Sequence, residues 1–330
     1  DNLAIGYQAM TTNTAGGQKN IAVGNYALDA LTSADNCVGV GHLAGSSLTT
    51  GDDNTYLGFS AGFTNTAASD NTAVGFQALY SATTGHSITA LGHNALFNNT
   101  TAIQNTAVGM NALQGATTGG ENTAIGQDAL KTCSTGTNNV AAGKNSLDAV
   151  TTGSTNVGLG YSAGGYITEG FDNTCVGDTT GIVLSTGDNN LLVGHDAGRT
   201  GSPGGALTTA NNFLCLGDEN IANAHIQVDW TVASDQRDKT DFRDLDVGLD
   251  FVNGLVPVTY KWDKRSKYGD KDDDDYDIST ITHDGTHKED WLDVGFKAQE
   301  VEALEKAAGY KLSDKTNLTT TLSDDGKQYG

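Results

Sequence analysis

Basic residues are scarce in this chain: 18 Lys and Arg stand against 40 Asp and Glu, a net charge of −22. Phosphate recognition needs clustered Lys and Arg, so nucleic acid is excluded as a partner. The acidity fits a self-repelling surface in water. Cysteine is also scarce. Cys37, Cys133, Cys175 and Cys215 are far apart and form no CxxC pair. That spacing argues against a metal centre or a disulfide framework and for small buried hydrophobes. No apolar run is long enough to span a bilayer and no signal peptide is visible, so membrane insertion is not expected. Proline is nearly missing, with two residues, whereas glycine reaches 43. Such a chain is too polar and glycine-rich for one compact core, while 37% hydrophobic content is too much for disorder.

What is present is a repeat. A phrase of the form N-T-A-V-G recurs from Gly6 and Gly24 through Gly75, Gly109 and Gly143 to Gly194. The first interval is 18 residues and the next ten are 17. Asn stands four residues before most of these glycines, as at Asn71 and Asn122, and a small residue three after, as at Ala78 and Ala129. Ten after, often, comes the glycine of a T-T-G or S-T-G turn, such as Gly85 or Gly136. Self-similarity at a fixed short period is the mark of a solenoid.

Each repeat reads as one coil. T-A-V-G alternates and carries β-branched residues, which suits a short strand. Gly and Asn are expected to supply positive-φ turns. Ala lets neighbouring backbones approach. Glycine and β-branched residues in every repeat exclude a helical array. Stacked about 4.8 Å apart, twelve coils give a shaft on the order of 60 Å. One coil of this length is thin, so several chains are expected to share a core, with threefold symmetry the natural choice for a fibre.

The array offers little chemistry. His42, His93 and His195 each follow a repeat glycine, in well-separated coils, and read as packed or solvent-facing imidazoles. Threonine-rich solenoids can bind ice, but that requires a flat, regular Thr ladder, and the T-T pairs here are interrupted by Ser, Ala and Asp. Calcium-binding nonapeptide repeats are absent, as is a paired-carboxylate cleft for cutting glycans. No cofactor is implied.

We expect a repeat shaft over residues 1–200, a transition over 201–233 and a different domain over 234–330. Asp1 falls in mid-repeat, so the sequence is expected to be a piece of a longer chain. The period breaks at Gly201-Ser202-Pro203-Gly204-Gly205, one repeat-like phrase returns at 212–217, and 225–232 alternates as a strand. Beyond 234, glycine thins out and Lys and Arg appear. A short helix is expected over 246–255, a strand over 256–262, and a strand-to-helix junction over 294–304. The acidic run at 270–277 reads as a solvated loop rather than a cation site.

At the boundary lies S-D-Q-R-D-K-T-D-F, residues 234–242. A serine hydroxyl is a weak nucleophile and needs a base. Lys239 can serve if it is neutral, and Arg237 nearby lowers its pKa, whereas Asp238 favours the charged amine. Attack of the Ser234 hydroxyl on the Ala233 carbonyl closes a five-membered ring and gives an ester that water then hydrolyses. The bond cut is Ala233–Ser234 or Ser234–Asp235. The plainer reading is that Ser234-Asp235 caps a turn.

Two resemblances follow. The repeats resemble the heads and shafts of trimeric adhesins and bacteriophage tail fibres, where N-[ST]-x-A-[IV]-G phrases recur. The phrases at 234–242, L-V-P-V-T-Y-K-W at 255–262 and G-F-K-A-Q-E-V-E at 295–302 resemble the C-terminal intramolecular chaperone domain of endosialidases and phage tail spikes. The same module resembles the auto-cleaving domain of the myelin regulatory factors. The resemblance implies a domain that trimerises, templates folding of the preceding β-structure and is released by self-cleavage. It assigns the dyad to Ser234 and Lys239. The expected fold is an all-β solenoid of 17-residue coils, trimeric, followed by a smaller α+β chaperone domain that lacks the family's terminal segment. The expected protein is a homotrimeric virion tail fibre or spike whose partners are its own copies and a host glycan or receptor. The alternatives are a trimeric bacterial surface adhesin and a glycan-degrading tail spike.

Overall fold

The computed structural model describes residues 1–13, 15–221, 249–265, 268–269, 280–290 and 292–310. They form two compact units, Asp1–Pro203 with Leu207–Asp218, and Gly204–Ala206 with the chain from Glu219 onward.

The first unit is a parallel β-solenoid. Thirteen three-residue strands, β1 (Leu3–Ile5) to β13 (Leu214–Leu216), form one sheet in strict sequence order. Register follows the repeat: Thr72, Ala73 and Val74 of β5 (Thr72–Val74) lie opposite Thr89, Ala90 and Leu91 of β6 (Thr89–Leu91). The sheet ends by pairing β12 (Leu191–Val193) with β13, beyond the loop at 201–205. Within each strand the middle side chain points inward and its neighbours outward, the period-2 consequence of the pleat.

Outside the strands the coils remain hydrogen-bonded in alternating directions. In the fifth coil Gly75 and Gln77 donate N–H groups back to Leu57 and Phe59, while Leu79, Ser81 and Thr83 donate forward to Ala95, Phe97 and Thr100. Nearly the whole coil is therefore laddered, which is how a segment with so little regular strand meets the demand that buried backbone groups be paired. The geometry requires unusual dihedrals. Gly109 takes φ +137, and a Cβ there would lie 2.5 Å from the carbonyl oxygen of Gly126 in the next coil. Asp70, Gln77 and Leu79 of one coil also sit at positive φ (62, 52 and 53). Each such residue costs about 1–2 kcal/mol, and the coil-to-coil hydrogen bonds hold it there.

Asparagine was expected to supply positive-φ turns, and Asn94, Asn111, Asn138 and Asn145 do. The Asn before each strand does something else. Asn20, Asn71, Asn122 and their equivalents beyond the first coil are buried and have no positive φ. Asn122 Nδ2 donates to Gly136 O at 2.9 Å, and its Oδ1 accepts the backbone N–H of Asn139 at 2.9 Å. Further along, the amides also bond each other: Asn156 to Asn139 at 3.2 Å, Asn173 to Asn156 at 3.0 Å and Asn190 to Asn173 at 2.8 Å. Three coils depart from this ladder; in the last, Phe213 replaces Asn and its backbone N–H donates to Asn190 Oδ1 at 3.0 Å. Cys37 replaces Asn and its thiol donates to Gly51 O at 3.3 Å. Ile88 also replaces Asn, and Asn99 in the same coil is a buried amide with no hydrogen-bond partner.

Beside the ladder runs an apolar column whose sizes compensate. A coil with Ala at mid-strand, such as Ala73 or Ala107, carries Leu six residues on, at Leu79 or Leu113, and all are buried. Tyr56 takes the mid-strand place in the fourth coil, and Gly45 and Gly62 take the leucine places around it. A Cβ on Gly45 would meet Tyr56 Cδ2 at 2.6 Å. The buried phenol accepts a hydrogen bond from Asn65 of the same coil.

Two outcomes follow for stability. Asn122→Ala leaves the Asn139 N–H unpaired and the Gly136 carbonyl with only the weak Cys133 thiol at 3.5 Å inside the coil. Thermal or denaturant unfolding is expected to show a loss of roughly 2–5 kcal/mol, and an unchanged midpoint would remove the ladder's importance. Tyr56→Ala and Gly62→Leu each destabilise, by cavity and by clash. Combined, they rebuild the Ala–Leu pair of the fifth coil, so the double variant should lose clearly less than the sum. Simple additivity would contradict the size-compensation argument.

Candidate functional site

In the second unit, the sequence Val256-Pro257-Val258-Thr259-Tyr260 leads into β14 (Val258–Tyr260). It pairs antiparallel with β15 (Asp293–Gly295), Val258 opposite Gly295 and Tyr260 opposite Asp293. Helix α1 (Leu249–Gly254) precedes β14, and α2 (Ala298–Ala307) follows β15. The apolar Val301 of α2 is buried, and a Cβ on Gly254 would touch Leu304 Cδ2 at 2.9 Å, so α1 packs closely on α2. Lys297–Glu300 and Lys306–Glu302 pairs lie along α2 at 2.6 and 2.7 Å.

Past β14, Trp262 lies edge-on to Tyr260 with centroids 5.3 Å apart, and Lys264 stands 5.9 Å over its ring. Tyr268 donates its hydroxyl to Asp263 at 2.7 Å and accepts the backbone N–H of His287 at 3.1 Å. The carboxyl of Asp284 is held below its ordinary range by hydrogen bonds from the Thr286 backbone and hydroxyl. The structure thus brings together two of the three phrases singled out in the sequence: 255–262 supplies β14, and 295–302 supplies the end of β15 and the start of α2.

The third phrase lies outside the described residues. That covers Ala233, Ser234, Asp235, Arg237, Asp238 and Lys239. The strand expected over 225–232 and the acidic run at 270–277 also fall outside them.

In the solenoid, the three histidines have distinct surroundings. His42 and His93 do not meet each other. They bracket Phe59 and Phe76 in a stacked column, with successive centroids 5.4, 5.2 and 5.0 Å apart. A second column, Phe63–Tyr80–Phe97, stacks at 5.0 and 4.9 Å. Sequence reasoning missed both columns, although their members are spaced by 17 residues. His195 lies among carboxylates: Nε2 is 3.6 Å from Asp178, and Nδ1 is 3.6 Å from both Asp196 and Asp218. Burial works to raise the Asp196 pKa, but hydrogen bonds from Thr179 and Arg199 outweigh it and hold the carboxyl low.

The threonine ladder serves the fold. The first threonine of each pair donates its hydroxyl to a carbonyl 17 residues on, as Thr83 does to Thr100 at 3.0 Å and Thr100 to Thr117 at 2.9 Å. Those hydroxyls are not a free, flat array for ice.

All four cysteines are free and buried. Burial pushes the Cys37 and Cys133 thiols up to about 11 and Cys175 to about 12.

A parallel solenoid with one coil per repeat, followed by a small α+β segment, defines a fibre-type chain with an appended C-terminal module. Residues 234–310 match the family model described as the chaperone of endosialidase. The solenoid and this match together fit a tail-fibre protein with a C-terminal chaperone domain. No curated protein and no solved structure matches the chain.

The thiols provide a simple check of this solenoid. The folded protein should not react with a thiol reagent at pH 8, because the thiols are both buried and protonated there. Denaturation should release four reactive thiols per chain. Rapid reaction of Cys133 or Cys175 in the native state would contradict the coil structure.

Proposed function

We propose that the chain is part of a homotrimeric, adhesive virion fibre: a solenoid shaft whose C-terminal domain, residues 234–330, guides trimer folding and is then released by self-cleavage at Ser234. The observation that carries this reading is the match to the endosialidase chaperone, which begins at Ser234 itself. The second unit supports it physically. Val294 in β15 is 76% exposed and Leu292 is 66% exposed, and Leu249, Val256 and Phe296 are exposed too. Among the described residues of this unit beyond 248, only Val301 and Glu305 are buried. A single copy with so little core gains by burying these groups against other copies.

The chemistry acts on the chain itself. Lys239, in its neutral form, accepts the Ser234 hydroxyl proton as Oγ attacks the Ala233 carbonyl carbon. The Ala233–Ser234 C–N bond breaks, the nitrogen takes up the proton as the Ser234 α-amine, and an ester to Oγ remains. Water then hydrolyses that ester, leaving a carboxylate on Ala233 and restoring the hydroxyl. Cleavage at Ser234–Asp235 would need attack of Ser234 on its own carbonyl, a more strained path. Arg237 favours the neutral amine of Lys239, and Asp238 opposes it. Removing the template after assembly leaves the shaft held by its barrier to unfolding, which suits a structure that works outside the cell.

Denaturing electrophoresis of wild type beside Ser234→Ala is the test. Wild type should yield a product ending near residue 233, and the variant should remain full length. Identical full-length bands would remove self-cleavage. A sedimentation mass equal to one chain would remove the trimer.

A further inference from the structure

We infer that the outer face of the solenoid sheet is the surface on which copies of this chain meet, parallel and in register; this rests on the homotrimer reading above. The residue just before each repeat glycine is aliphatic in all thirteen coils, Val or Leu or Ile apart from one Ala, and none of them is buried. Leu57 is 45% exposed and Ile125 is 47% exposed. The outward residue two places earlier is Thr, Val, Leu or Ile in every coil. Neither column contains a charged residue, in a chain with 40 acidic and 18 basic ones. An uncharged apolar face of this extent is unusual on an isolated soluble surface.

Its dimensions suit a stable contact. Thirteen strands about 4.8 Å apart make it on the order of 60 Å long, and three extended residues make it about 10 Å wide. That is on the order of 600 Å² per copy, so two such faces together bury about 1,200 Å², the lower end of a standard interface. The occupant is argued from the pattern. A uniform aliphatic ladder, repeated at the coil spacing, is matched along its length by another ladder of the same spacing. The same chain supplies one. Parallel alignment follows because the C-terminal domains must assemble together at one end.

Periodicity also limits what this face can specify. A slip of one coil again sets aliphatic residues against aliphatic residues, so the ladder alone fixes register weakly. The stacked His42–Phe59–Phe76–His93 column breaks the uniformity in the third to sixth coils, two residues along the chain from the ladder. It is the local mark by which neighbouring copies find register.

The test uses the full chain carrying Ile125→Asp, with Thr135→Asp as the control in the same coil, where Thr135 is exposed away from the strand. Sedimentation gives the mass, and protection of the buried thiols reports the coil's integrity. Wild type and Thr135→Asp should sediment as trimers, and Ile125→Asp as a folded single chain. A folded trimer of Ile125→Asp overturns the assigned face while leaving the trimer intact. A monomeric wild type overturns the homotrimer reading itself. If Ile125→Asp exposes its thiols, Ile125→Cys and Thr135→Cys replace the pair, with a short bis-maleimide as probe. Chain-to-chain crosslinking at 125 and not at 135 supports the face, and crosslinking absent at 125 overturns it.

Discussion

The solenoid depends on one interaction, the buried amide ladder of asparagines. A coil of 17 residues with a three-residue strand cannot satisfy its interior backbone by sheet pairing alone. The asparagine before each strand supplies the missing donor and acceptor, one to a carbonyl 14 residues on and one to an N–H 17 residues on. A buried amide that meets both demands is worth more than its net hydrogen-bond energy, because the alternative is two unpaired groups in a dry interior. The ladder also bridges irregular coils: across the 18-residue first interval Asn2 donates to Gly17 O at 2.7 Å and accepts the Asn20 N–H at 2.8 Å, and across the 201–205 loop Asn190 donates to Ala210 O at 2.7 Å and accepts the Phe213 N–H at 3.0 Å. Cys37 fits the same logic, since its thiol still donates to the Gly51 carbonyl.

The remaining core is a packing problem solved coil by coil. Mid-strand alanines such as Ala73 and Ala107 pair with leucine, and the large Tyr56 and Leu192 pair with glycine, so bulk lost at one place is supplied at the other. Tyr56 with Gly45 and Gly62 is the clearest case, and Leu192 with Gly181 and Gly198 repeats it near the end of the array. Interiors packed to crystal density allow this kind of exchange only between neighbours. The solenoid thus tolerates variation in any one coil provided the coils touching it change as well, the nearest-neighbour behaviour expected of stacked repeats.

How much of this was legible in the sequence differs from column to column. The repeat glycine, the alternating strand and the solenoid architecture follow from period and residue type. Asparagine does take positive φ at Asn94, Asn111 and Asn138, but its second use, the buried ladder, was missed, because nothing local distinguishes the two. The residues that do take positive φ include Leu79, Leu96 and Leu113, which no propensity rule would select. They are placed by hydrogen bonds from adjacent coils, and a single repeat contains no trace of those. The aromatic columns were legible in principle, since Phe59 and Phe76 share a place in the repeat, but only once each place is read down the array rather than along the chain. In the second unit, β14, β15 and α2 fall where alternation and glycine put them. Ser234 and Lys239 were legible through their phrase and its family resemblance, and they lie outside the described residues.

The two units have complementary information content. Thirteen equivalent strands give great cohesion and little positional information, because every coil presents nearly the same groups to any neighbour. Aligning separate copies of such a structure is error-prone, since wrong registers between them are nearly as good as the right one. A non-repeating segment has the opposite character. The pairing of β14 with β15 and the packing of α1 on α2 occur once per chain, so copies that meet through this segment can meet in one alignment only. Placed at one end of the repeats, it can set register before the ladder propagates it. Once the coils are stacked, that information is stored in the shaft, and the segment that supplied it is no longer needed. A dedicated folding domain that follows the repeats in the chain is therefore what the physics of the repeat calls for.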